Sequence, residues 1–279
     1  MKWQGRRGSD NVEDRRGMSR GTKVVGGGIG TLVIVLLVYL LGGDPSGILQ
    51  QSGSSETAGP VEATEEENAM AQFVSVVLAD TEEVWGKLFA QSGATYRQPT
   101  LVLFRDQVQS ACGYATAASG PFYCPGDEKV YIDLSFFDDL RTKYGVYGDF
   151  AIAYVVAHEI GHHVQNQMGI LDKVQAERQR LSEVRGNQLT VRLELQADFL
   201  AGVWAHYANQ MFNSIEEGDI EEALNAAASI GDDVLQQKYQ GRVVPDSFTH
   251  GTAAQRSSWL RKGWETGDLN QGDTFSGAI

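Results

Sequence analysis

The sequence predicts an α+β fold, mainly helical with a small sheet and preceded by one transmembrane helix. Three observations predict it. Short β-prone runs bounded by turn residues are confined to residues 99–134. From Ser135 almost to the end, apolar residues recur at helical spacing, and strands followed by many helices are the order of an α+β domain. Ahead of both lies Val24–Leu41, an uncharged and mostly apolar run.

In chain order, residues 1–23 carry seven Lys/Arg against three acids, are rich in Arg and Gly, and lack apolar periodicity, which predicts a flexible basic tail. The eighteen residues 24–41 would span about 27 Å as a helix, close to the roughly 30 Å hydrocarbon core. A cleaved signal peptide would have a shorter apolar core and an Ala-x-Ala-like site, which Gly42-Gly43-Asp44-Pro45 does not offer. A buried soluble helix is the other alternative. Seven basic residues precede the run and none follows until Lys87, so the positive-inside rule places the tail in the cytoplasm. The expectation is a single-pass inner-membrane protein whose remaining chain is extracytoplasmic, in the periplasm of a bacterium with two membranes. Residues 42–68, rich in Gly, Ser, Thr, Glu and Pro, read as a flexible linker, which leaves 69–279 as the folded domain.

Within that domain, Phe73, Val76, Val77, Val84, Leu88 and Phe89 predict a helix over Ala69–Gln91, with Asp80, Glu82 and Glu83 as charged interruptions. Pro99–Phe104 and Lys129–Leu134 predict strands, and helix breaks are expected near 143–148, 168–171, 185–188, 213–219 and Gly231. Cys112 and Cys124, the only cysteines, form no Cys-x-x-Cys pair, so a zinc ribbon or redox motif is not indicated. In an oxidising compartment they would form a disulfide closing a small loop, free buried thiols being the alternative. The net charge is −13, and beyond residue 23 there are 16 basic against 33 acidic residues. An acidic body without a basic stripe argues against nucleic-acid binding.

The chemistry centres on Val155-Val156-Ala157-His158-Glu159-Ile160-Gly161-His162-His163-Val164. It contains His-Glu-x-x-His, and residues four apart lie on one helix face. Two imidazoles can then reach one metal ion, and Glu159 can reach a water bound there. The bland alternative is a buried helix with a polar edge. A catalytic zinc site takes three protein ligands and keeps one position open. The metzincin arrangement is excluded, because Met168 stands where its third His would fall and Gln165 where it needs Gly. The remaining candidate is Leu193-Glu194-Leu195-Gln196-Ala197-Asp198, on a second helix predicted from about Gln188 to Phe212. Acids in such apolar surroundings are costly unless paired or metal-bound. Glu194 is the expected third ligand, and Asp198 the acceptor for the outer N–H of a ligating imidazole; solvated acids on a helix edge are the alternative. Glu159 would polarise the water and carry its proton to the leaving amine. His163, about 100° round the helix from His162, should point elsewhere, and His206 should pack beside Trp204. His250 could donate to the oxyanion of a tetrahedral intermediate, with Arg256 as a structural or carboxylate-pairing partner.

These motifs together resemble the bacterial neutral zinc metallopeptidases, proteins with a basic head, one membrane span and an extracytoplasmic zincin-like domain. The resemblance rests on Met1-Lys-Trp-Gln-Gly-Arg-Arg7, Ser9-Asp-Asn-Val-Glu-Asp14, Cys112-Gly113, Gly120-Pro-Phe-Tyr-Cys-Pro125 and Val130–Phe137. It rests equally on His158–His163, Glu194–Asp198 and Thr249-His-Gly251. His-Glu-x-x-His followed by Glu-x-x-Ala-Asp and Thr-His is also similar to the integral-membrane CAAX proteases. That likeness implies His158, His162 and Glu194 as ligands, Glu159 as base and His250 as a transition-state-stabilising residue. The chain departs from that class in its single apolar run and in having Gly after His250. In zincin-like folds an edge strand above the active helix pairs with extended substrate, and Val130–Leu134 is the expected one. The functional expectation is a membrane-anchored zinc endopeptidase acting on envelope peptides or unfolded proteins. The alternative is a non-catalytic zinc-containing envelope binding protein, for which an acid at Glu159 would have no use.

Overall fold

The structure, a computed structural model, describes residues 1–17 and 63–279. Met1–Arg15 and Glu65–Ile279 make up one unit; the other, Arg16–Thr64, lies almost wholly outside the described residues. The strands are β1 (Val12–Asp14), β2 (Thr100–Phe104), β3 (Gln107–Ser110), β4 (Gly113–Thr116), β5 (Phe122–Cys124) and β6 (Lys129–Asp133). β3 and β4 form an antiparallel hairpin, and the main sheet has the order β1-β2-β6-β5. β1, β2 and β6 are parallel, while β5 runs antiparallel to β6, with Phe122 opposite Tyr131 and Cys124 opposite Lys129. Both inner strands are covered on two faces, which is why Leu101–Phe104 and Val130–Ile132 are continuous apolar runs. Leu101, Leu103, Val130 and Ile132 join the main core; Val102, Phe104 and Tyr131 pack with Val108 of the hairpin.

The helices are α1 (Glu65–Gln91), α2 (Ser135–Tyr144), α3 (Asp149–Gln167), α4 (Ile170–Arg178), α5 (Glu183–Phe212), α6 (Asp219–Ser229), α7 (Asp232–Gln240) and α8 (Ala253–Thr266). α3 lies centrally against α1, α5 and α6 and is buried along most of its length, as its apolar N-terminal half predicts. The expected break at 185–188 does not occur: α5 runs through it, and the N–H of Gly186 donates to the carbonyl of Ser182 at 2.8 Å. One glycine in a helix costs only about 1 kcal/mol, which the packing of so long a helix absorbs. α1 likewise starts at Glu65, inside the expected linker.

Of the tail expected over residues 1–23, residues 18–23 lie outside the described residues, and the described part is held by tertiary contacts. The Met1 ammonium pairs with Asp149 at 3.0 Å and Asp219 at 3.1 Å. Arg6 makes two 2.6 Å bonds to Asp80. Ser9 and Asn11 donate to Glu82 at 2.6 and 2.7 Å. Asp80 and Glu82, the charged interruptions of α1, are only 3% and 4% exposed because the head covers and pairs them. Basic residues that read as a membrane-orientation signal thus have tertiary partners.

The same segment overturns the membrane assignment. β1 and β2 are hydrogen-bonded neighbours, so residues 12–14 and 100–104 must lie on one side of any bilayer. One span between them would separate them. No helix among the described residues is long and apolar enough to cross a membrane, and residues 24–41 lie outside the described residues. The preceding transmembrane helix and the single-pass inner-membrane placement with a periplasmic domain are corrected accordingly. The Cys112–Cys124 disulfide is present.

Candidate metal centre and catalytic cleft

α3 carries His158, Glu159 and His162 in its middle turns, and α5 carries Glu194 and Asp198 in the facing turns. The two helices meet at Gly161, where an added Cβ would lie 3.0 Å from the carbonyl oxygen and 3.2 Å from the Cα of Ala197. A side chain at 161 would push the helices apart, so this glycine sets the distance across which Glu194 reaches the histidines. Glu194 Oε2 lies 3.2 Å from His158 Nε2 and 3.4 Å from His162 Nε2. The three donor atoms lie within 4.8 Å of one another.

The far side of each imidazole is also held. His158 Nδ1 is 2.8 Å from Asp198 Oδ1, and His162 Nδ1 is 2.8 Å from the Gln165 side-chain oxygen. With acceptors at both Nδ1 atoms, the protons belong there and each Nε2 is turned toward Glu194. Asp198, fully buried, also accepts from Tyr154 Oη at 2.6 Å and from Arg256 at 2.9 and 3.1 Å. α8 can bring Arg256 there because Gly202 and Gly263 face each other's helices, where any Cβ would strike backbone. Burial opposes ionisation of Asp198, but Arg256 and His158 outweigh it and hold the carboxyl down to about 2. Burial likewise opposes charge on His158, yet Asp198 and Glu194 raise it to about 10. Glu194 is held well below the carboxylate range by His162 and His158 despite its burial. Glu194 therefore stands as an ionised carboxylate facing the two Nε2 atoms.

The triad opens into a cleft of about 640 Å³ that is also lined by Glu159, Tyr123, His250 and Phe136. Glu159 is 8% exposed and has no hydrogen-bond partner among the described residues, so its carboxylate is available to the cleft. His250 sits half-exposed on the loop before α8, with Nδ1 3.1 Å from Thr249 Oγ1 and 3.4 Å from Asp232 Oδ1. Asp232 accepts the backbone N–H groups of Thr249, His250 and Gly251 and so shapes that loop. His163 points away from the triad, as expected, and meets Tyr123 Oη and the Arg97 carbonyl. His206 pairs with the Trp264 carbonyl and packs against that ring.

The match to known proteins agrees with this geometry. Residues 1–275 match the family described as "Putative neutral zinc metallopeptidase". The chain belongs to this family. It is 49% identical over its full length, and that of the relative, to the uncharacterized protein YpfJ of Escherichia coli K12. It is 41% identical to the uncharacterized protein Rv2575 of Mycobacterium tuberculosis, covering 86% of this chain and 85% of that one. No solved structure matches the chain. The family implies zinc, and the residues present fit it. Two imidazole nitrogens and one carboxylate oxygen are the donor set of a catalytic zinc site, and both outer N–H groups already have acceptors.

Sequence reasoning missed Gln165, Tyr154 and β5. Gln165 is fully buried and also donates to the Leu193 carbonyl, a tie between α3 and α5. A glutamine within an apolar helix, three residues beyond a candidate ligand, was the available signal. The expected edge strand is corrected as well: Val130–Leu134 is an inner strand, and the edge beside the cleft is β5.

Proposed function

We propose that this chain is a zinc-dependent endopeptidase hydrolysing peptides or unfolded proteins. The observation that carries the reading is the convergence of His158, His162 and Glu194 on one point beside the unpaired carboxylate of Glu159. His158, His162 and Glu194 would hold the metal. When bound, zinc supplies Lewis acidity, polarising a carbonyl and lowering the pKa of a nearby water. Glu159 takes the proton of the attacking water and passes it to the leaving amine. His250 donates a hydrogen bond to the developing oxyanion. Asp198 and Gln165 keep the two imidazoles turned so that each Nε2 faces the ligand point. A second cavity, of about 650 Å³, shares Tyr123, His162 and Glu194 with the first. Space on both sides of the triad suits a chain bound at its middle. The outer edge of β5 can pair with that chain as an added strand.

The test is zinc content and peptide hydrolysis of the purified chain beside Glu159→Gln and Glu194→Ala. The expected result is about one zinc per wild-type chain and loss of most of it in Glu194→Ala. Glu159→Gln should keep the metal and lose at least 10²-fold in rate, about the usual worth of a positioned base. Hydrolysis surviving Glu159→Gln would refute the mechanism. Zinc binding without hydrolysis in wild type would favour a non-catalytic zinc protein.

A further inference from the structure

Asp149, Asp219 and Glu222 form a second group of converging carboxylates, apart from His158, His162 and Glu194. We propose that Asp149 and Asp219, with Glu216 beside them, form a binding site for a free α-ammonium group, filled by Met1, and that only the unblocked amine docks the head onto α3 and α6.

The nitrogen is set in place from several sides. The Met1 side chain is buried in the main core, and the Lys2 N–H donates to the Ser214 carbonyl at 2.8 Å. Trp3 meets Phe73 edge-on, with ring centres 5.3 Å apart. Held this way, the ammonium donates to Asp149 Oδ1 at 3.0 Å and Asp219 Oδ1 at 3.1 Å, and lies 3.4 Å from Glu216 Oε2. The other oxygen of Asp219 accepts the Glu216 N–H at 2.7 Å and so fixes the turn that carries Glu216. Three carboxylates thus face a group with three N–H donors.

Electrostatics shows what holds the amine there. Asp149 and Asp219 open their helices, where free N–H groups and the helix dipole favour anions and repel cations. The helix ends therefore do not attract the ammonium; the carboxylates do. Burial works against its charge as well, yet Asp149 and Asp219 outweigh burial and raise the amine above its ordinary value. Glu222 presses in because Gly148 leaves it room; a Cβ at that position would strike the Glu222 carboxylate. Without the ammonium, Asp149, Asp219 and Glu222 would face one another with oxygens inside 4.8 Å. An acylated nitrogen has lost its charge, and so has the peptide nitrogen made by any residue placed ahead of Met1. Removal of Met1 would draw the ammonium back one residue, about 3.8 Å, beyond hydrogen-bond reach of both acids.

The experiment makes the full chain from two N-terminal fusions, one whose cleavage leaves Met1 free and one whose cleavage leaves Gly-Ser ahead of it. Intact mass verifies each terminus. Hydrogen exchange of the amides of residues 2–14 and urea unfolding are then read in excess chelator. Neither zinc nor hydrolysis enters, so the outcome is independent of the peptidase reading. The free form should exchange in the head at least about tenfold more slowly than the extended form, with an unfolding constant at least about tenfold smaller. Asp149→Asn should cost the free form about tenfold in head protection and the extended form less than about twofold, because only the free form has an ion pair to lose. Equal protection in the free and extended forms would overturn the proposal. An Asp149→Asn cost that is the same in both would also overturn it, marking crowding at the terminus in place of ammonium recognition. If the extended chain does not fold, Asp149→Asn in the free form decides: faster head exchange by about tenfold supports the site, and unchanged exchange refutes it.

Discussion

Replacing Asp198 with Asn tests the network behind the metal site most directly. Asp198 is fully buried and Arg256 is 3% exposed, and the carboxylate accepts from Arg256 twice, from Tyr154 and from His158. An asparagine can keep its oxygen toward Tyr154, His158 and Arg256 Nη2, but its amide nitrogen then meets the Arg256 Nε–H donor to donor. Arg256 would lose the 2.9 Å bond from Nε and its carboxylate counter-charge, keeping only neutral acceptors: the amide oxygen at 3.1 Å, Tyr154 Oη at 3.0 Å and the Ile230 carbonyl at 3.4 Å. Breaking a buried pair from one side costs about 3–5 kcal/mol, a large part of a typical stability of about 5–15 kcal/mol. Loss of an outer-shell carboxylate costs about 10–100-fold in metal affinity. Urea unfolding in the presence of chelator reads the first quantity without the metal; competition with a zinc indicator reads the second. Arg256→Met combined with Asp198→Asn removes the stranded cation, so the double variant should lose less than the sum of the two, with a coupling of about 1–3 kcal/mol. An Asp198→Asn protein within about 0.5 kcal/mol of wild type, or an additive cycle, would refute this account.

Three further outcomes are expected. Gln165→Leu removes the acceptor for His162 Nδ1 and should weaken zinc binding about tenfold, read by the same competition. Joint replacement of Cys112 and Cys124 by Ser opens a loop whose ends are twelve positions apart; chain entropy puts the loss at about 3 kcal/mol, measured by urea unfolding under non-reducing conditions. Burial raises the Asp80 carboxyl to about 6, with Arg6 offsetting only part of that shift. Between the unfolded value near 4 and that folded value, the native state holds a proton the unfolded state has released. Its contribution therefore falls as pH rises from about 4 to 6, by about 2–3 kcal/mol, and Asp80→Asn should flatten that part of the stability–pH curve.

What was legible in the chain was local. His158 and His162, and Glu194 and Asp198, stand at i and i+4, so helical geometry alone puts each pair on one face. The apolar runs of β2 and β6 are long enough to show. β1 is three residues long and pairs with strand residues 89 positions away, so no window of sequence contains both partners. The charge of Arg6 looked topogenic because Asp80, which engages it, is brought near only by folding. β5 is also three residues long and hidden in the cysteine loop, which is why the edge was assigned to β6. Gln165 was read only as a missing metzincin glycine, since its contact with His162 depends on a rotamer that spacing does not specify.

The position of the head bears on the site. Met1 binds Asp149 and Asp219, the first residues of α3 and α6, so the start of the chain closes over the N-terminal end of the helix that carries His158 and His162. At the other end of α3, His163 and Gln167 meet the Arg97 carbonyl, and Asn166 donates to Tyr123 of β5. Between these anchors Gly161 admits α5, and α8 adds Arg256 behind Asp198. Every candidate ligand therefore sits on a helix restrained by others, while His250, Ile230 and the residues leading into β5 enter the cleft from loops and turns. Catalytic constellations need positions good to about 0.5 Å, which helices supply better than loops. The basic head belongs to the frame that holds the ligands in register.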